Sequence, residues 1–250
     1  MPAAAVPNLS GIWLRTGDLW FDAVDEQVLK PVQRLDTKGP NAEDIWAGNS
    51  NNPVLQPWAR AIVESNAQSE LRLQHVYTAD DSCWPSGVPQ AINLLGPVQF
   101  VQTKDRVEIV YERNHEVRRI WLDDRHSRQV KPSWYGESVG HYDGDTLVVD
   151  TVGLKTHKMS VVDPFGTPHT AALHVVERYR TFTTPLGKGI EVTVTVEDSG
   201  AFTSTWSGTA EYVLDKNTTA IEEMACAEND RDFMDGSTFG EIPQAARADF

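Results

Sequence analysis

Side chains capable of acid/base chemistry are concentrated between residues 134 and 180 of this 250-residue chain. Four of the seven histidines lie there, together with several carboxylates and aromatic residues. Proton transfer near neutral pH needs a group whose pKa can be brought to about 7, and histidine or a buried carboxylate provides one. We predict a general acid/base site built from five side chains: Tyr135, Asp150, His169, His174 and Glu177.

Each of these residue types suits one part of such a site. One of the two histidines would move the proton and one carboxylate would orient it, while Tyr135 or Arg118 stabilises negative charge developing on the substrate. Basic and aromatic side chains are expected to bind the substrate: Arg118, Trp121, Trp134, His141 and Tyr179.

Metal binding is an alternative chemistry for the same region. The chain has no H-x-H pair and no H-E-x-x-H segment, so its spacing does not predict a metal centre. It also lacks a glycine-rich phosphate loop and a dinucleotide-binding fingerprint, so we predict no cofactor. The candidate ligands for a metal would be His157, Asp163, His169 and His174.

Nucleophilic catalysis by Ser138 is another alternative. Residues 136–140 have the letters G-x-S-x-G, but they lie among aromatic and strand-forming residues. The strand-turn-helix context that exposes a nucleophilic serine is missing. We therefore expect Ser138 to be a strand residue.

Composition limits the partners of the chain. It has 36 Asp and Glu against 22 Lys and Arg, a net charge of -14, which repels phosphate backbones and anionic lipids. We expect a hydrophobic small-molecule substrate, no nucleic acid and no membrane partner, with a homo-oligomer left open. As written, the sequence predicts a cytoplasmic protein, or an exported one if a signal peptide has been removed.

The chain contains two cysteines, Cys83 and Cys226. Two cysteines cannot form a disulfide framework or a cysteine-rich metal site. They are either two buried thiols or a single disulfide, and the disulfide would require an oxidising compartment.

The scaffold for these side chains is predicted to be a mostly antiparallel β-barrel. Short runs of Val, Ile, Thr and aromatic residues alternate with Gly, Asp and Asn after residue 97, with little helix between them. The predicted strands are Val98–Gln102, Val107–Glu112, Val117–Leu122, Ser138–Tyr142, Thr146–Thr151, His174–Tyr179, Ile190–Glu197, Thr209–Leu214 and Ile221–Cys226.

We predict a single domain over residues 1–250, with wrapping loops and a short helix in 1–80, the barrel in 81–230 and a tail in 231–250. Residues 9–13 indicate a first strand. The helix is predicted to begin at Pro57 and end near Leu73, with Trp58, Ala61 and Ile62 on its apolar face.

The clearest local element is a hairpin around Asp143-Gly144. Two strand-like runs flank this pair, and a type I′ turn needs the positive φ that glycine adopts without strain. We predict that Asp143 and Gly144 are its two central residues.

Side-chain alternation suggests what the barrel contains. Ile190–Glu197 alternates strictly between apolar and polar residues, as expected for one buried and one wet face. In 117–122 and 174–180, by contrast, both faces combine charged and apolar residues. We interpret these mixed faces as the lining of a ligand cavity inside the barrel.

Two long motifs carry a resemblance to known proteins. Residues 134–153 read W-Y-G-x-S-V-G-x-x-x-G-D-T-L-V-V-D-T-V-G, and residues 168–180 read P-H-T-x-A-L-H-V-V-E-R-Y-R. In these and in shorter matches across roughly residues 80–230, the chain resembles a large, mostly uncharacterised bacterial family of lipocalin-like β-barrel proteins, often exported.

The resemblance implies a lipocalin-like (calycin-like) barrel. It also implies that both cysteines, His169, His174 and Glu177 belong to a family pattern. The chain departs from that pattern at Asp124, where Gly is usual, and at 141–143, where His-Tyr-Asp replaces Arg-Trp-Glu. His141 is therefore a candidate for a role particular to this chain.

These observations predict a cofactor-independent acid/base enzyme, an isomerase, cyclase or lyase. Its substrate would be a mainly apolar small molecule, such as a terpenoid, polyketide or steroid-like metabolite, held inside the barrel. The alternatives are a non-catalytic lipocalin-like binding protein and a metal-dependent hydrolase or lyase. The enzyme requires at least two predicted catalytic side chains within hydrogen-bond reach, whereas a carrier requires an apolar cavity with few ionisable groups.

Overall fold

The computed structural model describes residues 6–35, 45–72, 74, 76–122, 125–185 and 187–226. The predicted tail, residues 231–250, and Asp124 lie outside these ranges. Within them the chain is mostly β, with α-helix α1 at Pro57–Leu71. The strands are β1 (Gly11–Thr16), β2 (Asp22–Ala23), β3 (Val32–Leu35), β4 (Ile45–Gly48), β5 (Pro97–Gln102), β6 (Arg106–Tyr111), β7 (Val117–Trp121), β8 (Glu137–Asp143), β9 (Thr146–Val152), β10 (His174–Thr184), β11 (Gly187–Glu197) and β12 (Trp206–Leu214).

Nine strands close into a barrel in the order β1-β5-β6-β7-β8-β9-β10-β11-β12, with β12 pairing back to β1. The barrel pairs are antiparallel apart from β7 and β8, which run parallel. A parallel pair needs a long crossover connection, and the chain between Trp121 and Glu137 supplies it. The predicted mostly antiparallel, lipocalin-like barrel is confirmed, with one parallel pair that the strand pattern did not indicate.

The predicted strand at Ile221–Cys226 is wrong, because these residues form no strand. Backbone N–H groups of this segment donate to side chains instead: Glu222 to Oε2 of Glu112 (3.4 Å) and Met224 to Nε2 of His115 (2.6 Å). The Glu222 and Met224 N–H groups are therefore directed to side chains and not to a neighbouring strand.

The hairpin between β8 and β9 is confirmed, but its turn is shifted by one residue. Asp143 pairs with Thr146, so Gly144 and Asp145 are the two loop residues. Gly144 has φ 62° and Asp145 has no positive φ, which rules out a type I′ turn and matches glycine at the first central position of type II′.

The mixed face of β7 is explained by an ion pair inside the barrel. Arg118 and Glu177 are both fully buried there. Arg118 Nη1 donates to Glu177 Oε1 at 2.8 Å, and Nη2 contacts the other carboxylate oxygen and donates to Thr151 Oγ1 at 3.0 Å. The Tyr179 hydroxyl donates to Glu177 Oε1 at 2.7 Å. These side chains thus occupy the part of the barrel interior that we expected to hold a ligand.

Helix α1 buries a different face from the one predicted. Its core face consists of Ala59, Val63 and Ala67, whereas Trp58 and Ile62 are 42% and 39% exposed. The smaller side chains allow the helix to lie close to β4, where Gly48 leaves no room for a Cβ beside Val63. The larger residues are left on the outer side of the helix.

Cys83 and Cys226 form a disulfide that joins residues 143 positions apart. Of the two alternatives that the sequence left open, the structure has the disulfide. It fastens the irregular segment after β12 to the loops before β5.

Candidate functional site

A short hairpin inside the connection between β9 and β10 brings a serine and a histidine together. Val161 pairs with Pro168, and the Val162 N–H donates to the Thr167 carbonyl at 3.0 Å. The tip is Asp163-Pro-Phe-Gly166, where Asp163 Oδ1 accepts the Phe165 N–H (2.9 Å) and Gly166 has φ 76°. This register places Ser160 opposite His169. We call residues 160–169 the Ser160–His169 hairpin.

The contacts of His169 define its tautomer. Its Nδ1 lies 2.8 Å from the Thr170 carbonyl oxygen, which can only accept, so Nδ1 carries the proton. Nε2 lies 2.8 Å from Ser160 Oγ. Burial lowers the pKa of His169, more than the Thr170 hydrogen bond and the Asp198 charge raise it, so the ring is neutral at pH 7 and Nε2 accepts the serine proton.

Asp198 holds the group that orients His169. Its carboxylate accepts the Thr170 N–H at 2.6 Å and the Thr170 hydroxyl at 2.7 Å, and it is buried. Asp198 also accepts the N–H groups of Gly200 (3.0 Å) and Ala201 (3.3 Å). A chain of hydrogen bonds therefore runs from Ser160 through His169 and Thr170 to Asp198.

His169 lines a cavity of about 770 Å³ outside the barrel wall. One side is the outer face of α1, at Trp58, Ile62 and Asn66, and the other is the connection between β9 and β10. We call it the α1 cavity. Its volume suits a small molecule, and its walls are mainly aromatic and aliphatic with a few polar groups. Its other lining residues are Val76, Tyr77, Thr156, His157, Lys158, Met159, Val161, Gly166, Pro168, Thr170 and Ala171.

The structure separates the five predicted catalytic residues. Glu177 lies in the barrel core, paired with Arg118. The Tyr135 hydroxyl donates to Glu116 Oε2, and burial raises the pKa of this carboxyl despite that hydrogen bond. Glu116 also accepts the Ser86 N–H at 3.0 Å. Glu177, Tyr135 and Glu116 are all absent from the lining of the α1 cavity.

His174 and Asp150 do meet, but on the outer wall of the barrel. Asp150 Oδ1 lies 3.1 Å from His174 Nε2 and 2.9 Å from His126 Nε2. The Nδ1 atoms face further carboxylates, Glu197 for His174 (3.3 Å) and Glu137 for His126 (3.1 Å). Burial raises the pKa of Asp150, but the hydrogen bonds with the two histidines lower it by more than burial raises it. The net shift of the Asp150 pKa is therefore downward.

The predicted substrate-binding residues are also distributed. Arg118 and Tyr179 belong to the buried network, while His141 is exposed. Trp121 is exposed with the Arg106 guanidinium 5.8 Å from its ring. Trp134 packs against Trp84 and against His157, which lines the α1 cavity.

In the part of the chain that the structure describes, no group of three or more His, Cys, Asp or Glu side chains has a geometry that could hold a metal ion. Asp163, one of the four candidate ligands, accepts backbone N–H groups of its own turn. Among the described residues, no helix is long and apolar enough to cross a membrane.

Sequence reasoning identified His169 and missed the residues around it. A signal for Ser160 was present, because Asp-Pro-x-Gly at 163–166 is typical of a tight turn, and the residues flanking such a turn face each other. Asp198 and the outer face of α1 had no such signal, since they reach the site only through the fold.

Comparison with known proteins gives no matching family model, no similar curated protein and no similar solved structure.

Proposed function

We propose that this protein is a cofactor-independent acid/base enzyme that acts on a mainly apolar small molecule bound in the α1 cavity, with His169 as the general base. The observation that carries the proposal is a buried imidazole, oriented by the Thr170 carbonyl, in the wall of a cavity of about 770 Å³. A base of this kind accepts a proton at neutral pH without first losing one.

The cavity replaces the barrel interior as the proposed binding site. Aromatic and aliphatic side chains such as Trp58, Ile62 and Met159 favour an apolar molecule of terpenoid, polyketide or steroid-like character. His169 is the one predicted catalytic residue that lines this cavity, so the proposed reaction is an isomerisation, cyclisation or elimination that begins with removal of one proton by a single base. The Cys83–Cys226 disulfide supports an oxidising compartment, and therefore export.

A non-catalytic binding protein is the second candidate. It is favoured by the contact between Ser160 and His169, which occupies the nitrogen that a substrate would have to reach. The two candidates differ in whether His169 changes the rate of a reaction or only the binding of a ligand.

The test is elimination of a nitrobenzisoxazole, a neutral apolar compound whose ring opens when a base removes its proton. We expect the purified protein to accelerate this reaction, and His169→Gln to lower kcat/KM by about a hundredfold or more, as for loss of a general base. The measurement is the absorbance of the phenolate product.

Two tryptophan variants form a matched pair that locates the reaction. Ala171→Trp places a large side chain in the wall of the α1 cavity and should lower the elimination rate, whereas the neighbouring Ala172 lies outside the lining, so Ala172→Trp should retain it. Binding of the compound by a protein that leaves its elimination rate at the buffer value would favour the binding protein. Equal rates in the unmutated protein and His169→Gln would exclude His169 as the base.

A further inference from the structure

We infer that Ser160 is a nucleophile for acyl transfer and that the substrate class of the α1 cavity is an apolar carboxylic ester. This inference rests on the proposed function, because it uses the same cavity and the same base. It narrows the proposed reaction to acyl transfer from an ester, and a cyclisation by acyl transfer forms a lactone.

The first argument is the direction of the hydrogen bonds. His169 Nδ1 donates to the Thr170 carbonyl, so only Nε2 can act as a base, and its partner is Ser160 Oγ at 2.8 Å. A serine hydroxyl is a weak nucleophile until an adjacent base takes its proton, and a base held by a third group is the arrangement that does so. The contact with His169 therefore activates the Ser160 hydroxyl as a nucleophile.

The second argument is the position of the serine. Ser160 is buried and does not itself line the α1 cavity, but its hydroxyl contacts His169, which does line it. Lys158 is the lysine in the lining of the same cavity. Met159 and Val161 favour an ester whose acyl or alcohol group is apolar.

The third argument is the rigid support behind the base. The Thr170 carbonyl that orients His169 belongs to a residue fixed by two hydrogen bonds to the buried Asp198 carboxylate. Asp198 is a positioning residue, since it acts on His169 only through Thr170 and through its charge.

The reaction proceeds in two balanced steps. Ser160 Oγ bonds to the ester carbonyl carbon while its proton moves to His169 Nε2, and the carbonyl π electrons move to oxygen. The tetrahedral intermediate collapses, the bond to the alcohol oxygen breaks, and the leaving alkoxide takes the proton from Nε2. Water then attacks the acyl-serine and gives a proton to His169 Nε2, the bond from the acyl carbon to Ser160 Oγ breaks, Oγ takes that proton back, and the acid is released. A hydroxyl of the acyl chain that attacks in place of water releases a lactone in the same way.

The experiment combines covalent labelling with ester hydrolysis. A fluorophosphonate carrying an alkyl chain should label the unmutated protein, and mass spectrometry should locate the adduct on Ser160. Hydrolysis of p-nitrophenyl octanoate should fall by about a hundredfold or more in Ser160→Ala and in His169→Gln. Ser204→Ala, an exposed serine outside the α1 cavity, should keep the full rate.

Elimination of the nitrobenzisoxazole separates this inference from the proposed function. Ser160→Ala frees Nε2, so it should lose ester hydrolysis while keeping or increasing His169-dependent elimination. An absence of adduct on Ser160, or full ester hydrolysis by Ser160→Ala, overturns the inference whether or not elimination persists. Labelling of the unmutated protein decides the question even if the variant does not fold. If neither the unmutated protein nor Ser160→Ala accelerates elimination, the proposed function is overturned instead.

Discussion

His169 differs from the other histidines of the described chain in being buried with a backbone carbonyl at one ring nitrogen and a hydroxyl at the other. His126 and His174 face carboxylates at both nitrogens. Carboxylates can only accept, so these two rings contact acceptors alone. His169, in contrast, has a hydroxyl at Nε2 that can donate to it.

The pH dependence of elimination follows from the pKa of His169. Burial lowers this pKa below its ordinary value of 6.5, so the base stays unprotonated to lower pH, and we expect the acid limb of kcat/KM to lie below pH 6.5. The Asp198 charge raises the same pKa, so Asp198→Asn should shift the limb further down. A pH profile of both proteins measures this, and an upward shift in the variant would contradict it.

The same shift affects stability. The folded-state pKa of His169 lies below the unfolded-state value, so the unfolded chain takes up a proton first as pH falls. This contribution to stability is present above pH 6.5 and is lost as pH falls toward the folded-state pKa.

Among the elements, β7 and β10 are linked through the barrel centre by Arg118 and Glu177. Burial disfavours the charge on Arg118, but the facing carboxylate more than offsets this and raises the pKa of the guanidinium overall. Removing one partner of a buried pair leaves the other charge without compensation inside the barrel.

We therefore expect Glu177→Gln to lower the free energy of unfolding by about 3–5 kcal/mol, as for broken buried ion pairs. The control is Glu191→Gln on the outer face of the neighbouring strand β11, which should cost about 1 kcal/mol or less. Chemical denaturation of the two variants provides the comparison. Equal stabilities would show that the ion pair does not stabilise the barrel.

At the scale of the whole molecule, the disulfide closes a loop from Cys83 to Cys226 that contains most of the barrel. Cross-linking residues so far apart restricts the unfolded chain more than the folded one. The double variant Cys83→Ala, Cys226→Ala should lose about 2–4 kcal/mol in the free energy of unfolding. Reduction of the unmutated protein should give a similar loss, and a loss by only one of the two routes would contradict the chain-entropy explanation.

The sequence predicted the barrel strands and the hairpin at Gly144, because side-chain alternation and turn residues act over a few neighbouring positions. It did not predict β2, β3 or β4, and the strand predicted at Ile221–Cys226 does not form. It also contained the turn at 163–166 that brings Ser160 to His169. It did not determine which face α1 buries, because both faces carry apolar residues. The face with the smaller side chains packs against Gly48.

Which charged groups meet depends on the tertiary structure. Arg118 and Glu177 are 59 residues apart, and Thr170 and Asp198 are 28 apart, so strand order and register set their contacts. The sequence pattern led us to assign the Arg118 charge on β7 to a ligand cavity, because it does not show that Glu177 faces Arg118 across the barrel. Closure of the barrel places Glu177 in its interior and away from the α1 cavity. His169 lines that cavity because the connection between β9 and β10 folds back outside the barrel against α1.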